Sequence, residues 1–180
     1  MTRDQLEHAI RAACDVSGDS AVYVFGSQAI LGEHPNAPAL LRQSIEVDLA
    51  PVTRVDQVDA IDGALGELSQ FFQTHGFYVH GLPIDAVTLP TGWRDRVVTV
   101  RNSATYDYSG LCLEAHDLAA SKLAAFRDKD REFVRVLLSE RLINAATLTA
   151  RLGSIEMAET ERARRVQWVS LTATALDDTS

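Results

Sequence analysis

The stretch Ala21-Val22-Tyr23-Val24-Phe25-Gly26-Ser27 decides how the surrounding chain folds. Its first five residues are mostly β-branched or aromatic, which predicts a short buried strand. Gly26 and Ser27 end that run, and Gln28 to Leu31 is typical of the opening turn of a helix. A glycine lets the backbone approach a phosphate closely, and a serine at a helix start either caps the helix or contacts an oxyanion. The segment therefore predicts strand, turn and helix, with a phosphate site and a plain capped turn both open.

A second strand is indicated by residues 44–51, in which apolar Val47 and Leu49 alternate with polar or small residues. Glu46 and Asp48 share the polar face of this strand, where side chains two residues apart lie roughly 6–7 Å apart. Two carboxylates at that separation can reach the same divalent cations. The pair predicts a metal site, although taken alone it also fits an ordinary solvated strand face.

A third carboxylate, Asp85, lies in the run Ile84-Asp85-Ala86-Val87, which we predict to be a third strand. The intervening residues 55–74 have apolar side chains at helical spacing, including Leu68, and predict one amphipathic helix closed by Gly76. On a neighbouring strand, Asp85 would complete the metal-binding group and accept the proton of an attacking hydroxyl. A carboxylate that caps the end of the strand is the alternative.

The sequence as a whole predicts one compact unit with two regions. A core covers residues 1–112, and a helical region over residues 113–180 packs on it. Residues 128–130 are expected to separate two helices of the second region. The chain carries neither the signature of a signal peptide nor an apolar run of about 18 residues. We therefore expect a cytoplasmic protein with no membrane partner.

Charge is distributed unevenly along the chain. Residues 1–119 carry 7 basic and 16 acidic side chains, whereas residues 120–166 carry 10 basic and 7 acidic ones. The formal net charge of −8 argues against non-specific coating of nucleic acid. A polyanion is expected to contact the second half, and a metal site fits the acidic first half.

Cysteine and histidine spacing indicates no further site. Cys14 and Cys112 lack CxxC or Cys/His spacing, so both are interpreted as packed thiols. The five histidines show no ligand spacing, and none is assigned a role.

The ordered set of Gly26-Ser27, the triplet Glu46-Val47-Asp48 and the later Asp85 resembles the DNA polymerase β-type nucleotidyltransferase superfamily. The stretch Leu113 to Phe133, with Lys122 on a predicted helix, resembles its AbiEii/MenT-like branch. The resemblance implies an α/β (α+β) protein of the nucleotidyltransferase fold. Such a protein has a small mixed sheet flanked by helices, followed here by the C-terminal helical region.

That resemblance also implies a function. It implies an NTP-dependent nucleotidyltransferase that uses Mg²⁺, adds nucleotides to the 3′ end of tRNA and is the toxin of a toxin–antitoxin system, with a neighbouring antitoxin protein as partner. In the residue roles that it implies, Gly26 and Ser27 contact the triphosphate, and Glu46 and the catalytic Asp48 bind metal together with Asp85. Lys122 neutralises phosphate charge. Arg127 and Asp130 form a later basic–acidic element, in which Arg127 binds substrate and Asp130 is either catalytic or structural.

Two other functions remain open for the same fold. Transfer of the nucleotide to a protein side chain, as in AMPylation, needs no basic acceptor groove and suits the overall negative charge. The other alternative is a non-catalytic domain that binds a nucleotide or a partner protein. Glu46 supports that second alternative, because the superfamily pattern usually has an aspartate at its position. The joint presence of Ser27, Asp48, Asp85 and Lys122 argues against it.

Overall fold

A computed structural model of the chain describes residues 1–178, which divide into two compact units. The first unit comprises residues 1–87 and 96–114, and the second comprises residues 88–95 and the chain from Ala115 onward. The last two residues of the predicted helical region, Thr179 and Ser180, lie outside the described residues.

The first unit is built on a mixed β-sheet. Within residues 1–178, five strands pair in the order β3-β2-β1-β5-β4. The central β1 is antiparallel to β2 and parallel to β5, while β2 is parallel to β3 and β4 is antiparallel to β5. This mixed sheet with its flanking helices confirms the predicted α/β class and is consistent with a nucleotidyltransferase-like fold. The strands are β1 (Ala21–Phe25), β2 (Glu46–Pro51), β3 (Tyr78–Gly81), β4 (Val98–Val100) and β5 (Ser109–Cys112).

Helix α1 covers the sheet with one apolar face. It begins at a capping box of Thr2 and Gln5, and its Leu6 and Ile10 side chains are fully buried. A Cβ added to Gly110 of β5 would lie 2.3 Å from Ile10 Cδ1, so a glycine is required where this helix meets the strand. The helices of this unit are α1 (Arg3–Ser17), α2 (Ile30–Glu33), α3 (Val58–Leu65) and α4 (Gln70–His75).

The prediction of one helix over residues 55–74 was wrong, because the chain breaks between α3 and α4. The Gly66 N–H donates to the Asp62 carbonyl at 2.8 Å, and Gly66 then turns to an extended conformation that ends α3. Ser69 starts α4 by accepting a hydrogen bond from the Phe72 N–H. Leu68 between them is 95% exposed, although its spacing placed it on the apolar face.

The predicted strand at residues 84–87 was also wrong. Ile84–Ala86 form a 3₁₀ turn after Pro83, and the edge strand is the preceding β3. Strand β5, which contains serine and glycine, was not predicted at all. Both differences arise because pairing with β2 and β1, rather than local propensity, decides which short segments become strands.

The described part of the second unit from Ala115 onward is helical, as the pattern from residue 113 predicts. The first helix break lies at Phe126 and Arg127, not at residues 128–130, because Phe126 adopts a left-handed backbone with φ of 56°. Asp128 is already the first residue of the next helix. The helices are α5 (Ala115–Ala125), α6 (Asp128–Ser139), α7 (Ala145–Gly153) and α8 (Glu159–Asp177).

Candidate active site

The turn after β1 has a backbone that requires glycine at its first position. Gly26 has φ of 60° and ψ of −167°, a combination that side-chain-bearing residues rarely adopt. A Cβ at this position would lie 1.9 Å from Asp48 Oδ2. Half-buried Ser27 follows and starts a 3₁₀ turn that continues into α2, as predicted for this segment.

Strand β2 carries Glu46 and Asp48 on one face, as its alternation predicts. Val47 and Leu49, on the other face, are fully buried in the core. The antiparallel register pairs Phe25 of β1 with Asp48, so the turn after β1 leaves the sheet beside this carboxylate. The sheet thereby places the Gly26-Ser27 turn and the acidic pair next to each other.

The third polar group beside this pair is His80 of the edge strand β3. The parallel register pairs Asp48 with His80, and His80 Nδ1 lies 3.1 Å from Asp48 Oδ1. The same nitrogen lies 3.4 Å from Glu46 Oε1. No ligand spacing marks His80 in the sequence, because the Asp48 that it contacts is 32 residues away. One local feature could have identified His80 as a residue on the polar face of a strand: buried and exposed residues alternate over β3, and His80 follows the buried Val79.

Glu46, Asp48 and His80 fit a divalent cation. One ligand atom from each lies within 4.8 Å of the others, close enough to converge on one ion. The two carboxylates suit Mg²⁺ or Mn²⁺, and the imidazole widens the set towards Mn²⁺ and Zn²⁺. The donor set therefore fits the metal that nucleotidyl transfer uses.

Asp85 is not part of this group. It is exposed on the 3₁₀ turn after β3 rather than on a strand, and the metal-type cluster in the described residues consists of Glu46, Asp48 and His80. Its predicted role as metal ligand and proton acceptor stays a prediction.

A cavity of about 520 Å³ adjoins the cluster on the side of α3 and α4. Asp62 and Glu67 line it together with Glu46 and His80, and none of the described lining residues is a lysine or arginine. Burial, followed by the charges of Glu46 and Glu67, raises the pKa of Tyr78 on its wall. The Tyr78 phenol therefore remains protonated at neutral pH and faces a negative potential.

Three residues that the sequence singled out in the helical region lie together in the second unit. Asp130 is 1% exposed, and its carboxylate accepts hydrogen bonds from Arg127, the shorter at 2.6 Å. Lys122 Nζ lies 3.8 Å from Asp130 Oδ1 and 4.4 Å from the centroid of the Phe133 ring. The predicted basic–acidic element is thus an ion-paired group that joins α5 to α6, and the catalytic roles of its members stay predictions.

Both cysteines are buried and free, as predicted. Burial raises the pKa of Cys112 to about 12, and burial together with Asp19 raises the pKa of Cys14 to about 12. Neither thiol is a nucleophile at neutral pH.

Among residues 1–178, no helix combines the length and the apolar character that crossing a bilayer requires.

A mixed sheet that brings a Gly-Ser turn beside an acid–apolar–acid strand is the arrangement of the nucleotidyltransferase class. Residues 5–174 match the family described as "Nucleotidyltransferase of unknown function (DUF6036)", and the chain belongs to that family. Neither curated proteins nor solved structures gave a match.

Proposed function

We propose that this protein is a metal-dependent nucleotidyltransferase that moves a nucleotidyl group from an NTP to the 3′ end of tRNA, and that it acts as a toxin held in check by an antitoxin protein. The observation that carries nucleotidyl transfer is the cluster of Glu46, Asp48 and His80 beside the Gly26-Ser27 turn, in a member of a nucleotidyltransferase family. The tRNA acceptor and the toxin role rest on the resemblance of residues 113–133 to the AbiEii/MenT-like branch.

In this proposal, Gly26 and Ser27 bind the triphosphate through backbone N–H groups and the serine hydroxyl. The acceptor hydroxyl oxygen forms a bond to the α-phosphorus, the bond from the α-phosphorus to the oxygen bridging to the β-phosphate breaks, and pyrophosphate leaves. The hydroxyl proton passes to a carboxylate, and Asp85 is our candidate because it is an exposed acid just after β3.

Glu46, Asp48 and His80 are the residues that would hold the metal. A bound divalent cation such as Mg²⁺ supplies charge neutralisation and orientation of the phosphates. The Asp48 carboxylate lies so close to Gly26 that only a glycine fits there, and its Oδ1 lies 3.1 Å from His80 Nδ1. The carboxylate and the imidazole are therefore already side by side, and a bound ion would replace the contact between them.

We further propose that Lys122 neutralises negative charge on the phosphates during transfer. Asp130 is its positioning partner, at 3.8 Å, and Arg127 holds the other oxygen of that carboxylate. A lysine whose amine is held in this way loses less side-chain entropy when it meets a phosphate.

A protein side chain is the second candidate acceptor, and the cavity favours it. Glu46, Asp62 and Glu67 make the cavity wall acidic, which repels a polyanion and suits a basic peptide segment carrying a hydroxyl. An α-labelled NTP distinguishes the two acceptors, because its label would be transferred to tRNA in one case and to protein in the other.

The test incubates the purified protein with total tRNA, Mg²⁺ or Mn²⁺ and each of the four α-labelled NTPs. We expect label on tRNA with the wild type and none with Asp48→Asn. The matched control Asp59→Asn removes the same charge from an exposed position of α3 and should transfer as the wild type does.

Label found only on protein would replace the tRNA acceptor by the second candidate. A folded wild type that transfers no label from any NTP to either acceptor would contradict nucleotidyl transfer and support the non-catalytic alternative. Growth arrest on expression of the wild type, absent with Asp48→Asn, tests the toxin role separately.

A further inference from the structure

Phe126 stands in an unusual backbone conformation between α5 and α6. Its φ of 56° lies in the left-handed region, where glycine or asparagine is the common residue and a bulky side chain is rare. Its N–H donates to the Lys122 carbonyl at 3.0 Å and so ends α5. The phenyl ring at this position contacts side chains of both α6 and α8.

Three arginines surround that ring. The guanidinium carbons of Arg131, Arg164 and Arg165 lie 5.0, 5.2 and 5.1 Å from the ring centroid. The Trp168 ring meets the same phenyl ring edge to face at 6.2 Å. We call these five residues the Phe126 cluster. Cation–π attraction holds each guanidinium, but three like charges around one ring repel one another.

The three arginines differ in what neutralises them. Arg165 is buried, donates to the carbonyls of Leu123, Ala124 and Glu161, and pairs with the Glu161 carboxylate at 3.7 Å, so it has a structural role. Arg131 pairs with Asp128, whose side chain is 95% exposed and provides little neutralisation.

Arg164 is exposed on α8, and no carboxylate pairs with it in the part of the chain that the structure describes. Arg131 and Arg164 thus present two positive charges beside the half-buried Phe126 ring. A bound anion would relieve the repulsion between them.

Phosphodiester groups fit this surface best. Guanidinium groups bind phosphate oxygens in a bidentate manner, and contact with an aromatic ring restricts them before binding, which lowers the entropy cost of binding. The cluster also lies in residues 120–166 and just beyond, the part of the chain where basic side chains outnumber acidic ones. An acidic protein segment offers single carboxylates without the regular spacing of a phosphate backbone.

We propose that the Phe126 cluster binds the phosphate backbone of the RNA acceptor through Arg131 and Arg164. The identity of the RNA rests on the proposed function, whereas binding itself requires no transfer. The cluster therefore acts as an acceptor-recognition surface on the second unit.

The test measures binding of a fluorescent tRNA transcript to the full-length protein by anisotropy, without NTP, over a series of salt concentrations. We expect Arg131→Gln/Arg164→Gln to weaken binding roughly tenfold near physiological salt, and each lost contact to lower the slope of log affinity against log salt by about one. Arg164→Lys keeps the charge and should keep the slope. Arg135→Gln, an exposed arginine of α6 outside the cluster, is the matched control and should bind as the wild type does.

Unchanged affinity and slope in the double variant would overturn the inference, as would equally tight and cluster-dependent binding of poly-glutamate. Circular dichroism checks that the variants are folded, and the exposure of Arg164 makes its single substitution safe for folding. The outcomes separate this inference from the proposed function. Cluster-dependent tRNA binding without any label transfer would support the inference and contradict the function, while normal transfer to tRNA by the double variant, with unchanged binding, would do the reverse.

Discussion

Gly26 and Asp48 are in direct apposition: a Cβ on residue 26 would lie 1.9 Å from Asp48 Oδ2. The contact arises because β1 and β2 are antiparallel with Phe25 opposite Asp48, so the chain that leaves β1 passes over the carboxylate. The absence of a side chain at residue 26 is therefore part of how the acidic group is positioned. The pairing of β1 with β2 thus sets the position of the carboxylate in the candidate site.

The first prediction concerns this apposition. Gly26→Ala should destabilise the protein by about 1–3 kcal/mol, because its backbone conformation is nearly restricted to glycine, and should displace the Asp48 carboxylate. Transfer activity should fall by at least tenfold even at temperatures where the variant is folded. Urea unfolding and single-turnover transfer measure the two effects.

Gly63→Ala is the control for that substitution. Gly63 lies within α3 and has no atom within 4 Å of an added Cβ, so alanine should be neutral or stabilise by about 0.5–1 kcal/mol. Full activity in Gly26→Ala would show that the position of Asp48 does not depend on the glycine.

The second prediction distinguishes His80 from Asp85 as the third metal ligand. His80→Ala should weaken Mn²⁺ binding by at least tenfold, because it removes a donor 3.1 Å from Asp48 Oδ1. Asp85→Asn should leave Mn²⁺ affinity unchanged, since Asp85 lies on an exposed turn outside the cluster. Isothermal titration calorimetry with Mn²⁺ alone gives both affinities. Loss of Mn²⁺ affinity in Asp85→Asn, with none in His80→Ala, would show that Asp85, as expected from the sequence, and not His80 is the third metal ligand.

The third prediction concerns Asp19, a buried carboxylate just before β1. Burial by itself raises its pKa, but hydrogen bonds from the N–H groups of Thr53, Arg54 and Ala21 and from the Thr53 hydroxyl outweigh burial, and the net pKa is lowered from 3.8. Asp19→Ala leaves these donors without their acceptor and should destabilise the protein by about 1–3 kcal/mol at pH 7.

The lowered pKa also fixes the sign of the pH dependence. A carboxylate with a folded-state pKa below its unfolded value contributes stability above the unfolded pKa, and this contribution is lost as pH falls through the folded pKa. The wild type should therefore lose this part of its stability below about pH 4, and Asp19→Ala should show a smaller loss over the same range. Urea unfolding from pH 6 to pH 2.5 measures it, and parallel curves for both proteins would contradict the assignment.

The fourth prediction concerns the ion-paired group of the second unit. Asp130→Ala removes the buried carboxylate that lies 3.8 Å from Lys122 Nζ and accepts hydrogen bonds from Arg127, and it should destabilise the protein by about 2–3 kcal/mol after allowance for the exposed Arg127. Asp128→Ala, with a 95% exposed side chain in the same helix turn, should change stability by less than about 0.5 kcal/mol. Thermal unfolding of both variants is the measurement, and equal melting temperatures would show that the buried group contributes no stability.

Much of the candidate site could be predicted because it depends on local pattern. The alternation over residues 44–51 places Glu46 and Asp48 on one face regardless of what pairs with the strand. The third member of the cluster could not be predicted in the same way. Asp85 was expected there because it is the next acid on a predicted strand after Glu46 and Asp48, but Pro83 and the 3₁₀ turn remove it from the sheet. His80 instead lies beside Asp48, because β3 pairs with β2.

The sequence by itself determined the elements whose period is local: the buried run before Gly26, the two-faced strand with its carboxylates, and the helical character of the second half. These follow from side chains that alternate with a period of two or 3.6 residues. Only the tertiary structure decided which residues distant in the chain meet. The parallel register of β2 and β3 places His80 beside Asp48, and the packing of α8 against the segment after α5 gathers the arginines around Phe126. The physical reason is that strand register and helix packing are set by the burial of whole faces, which no single stretch of sequence encodes.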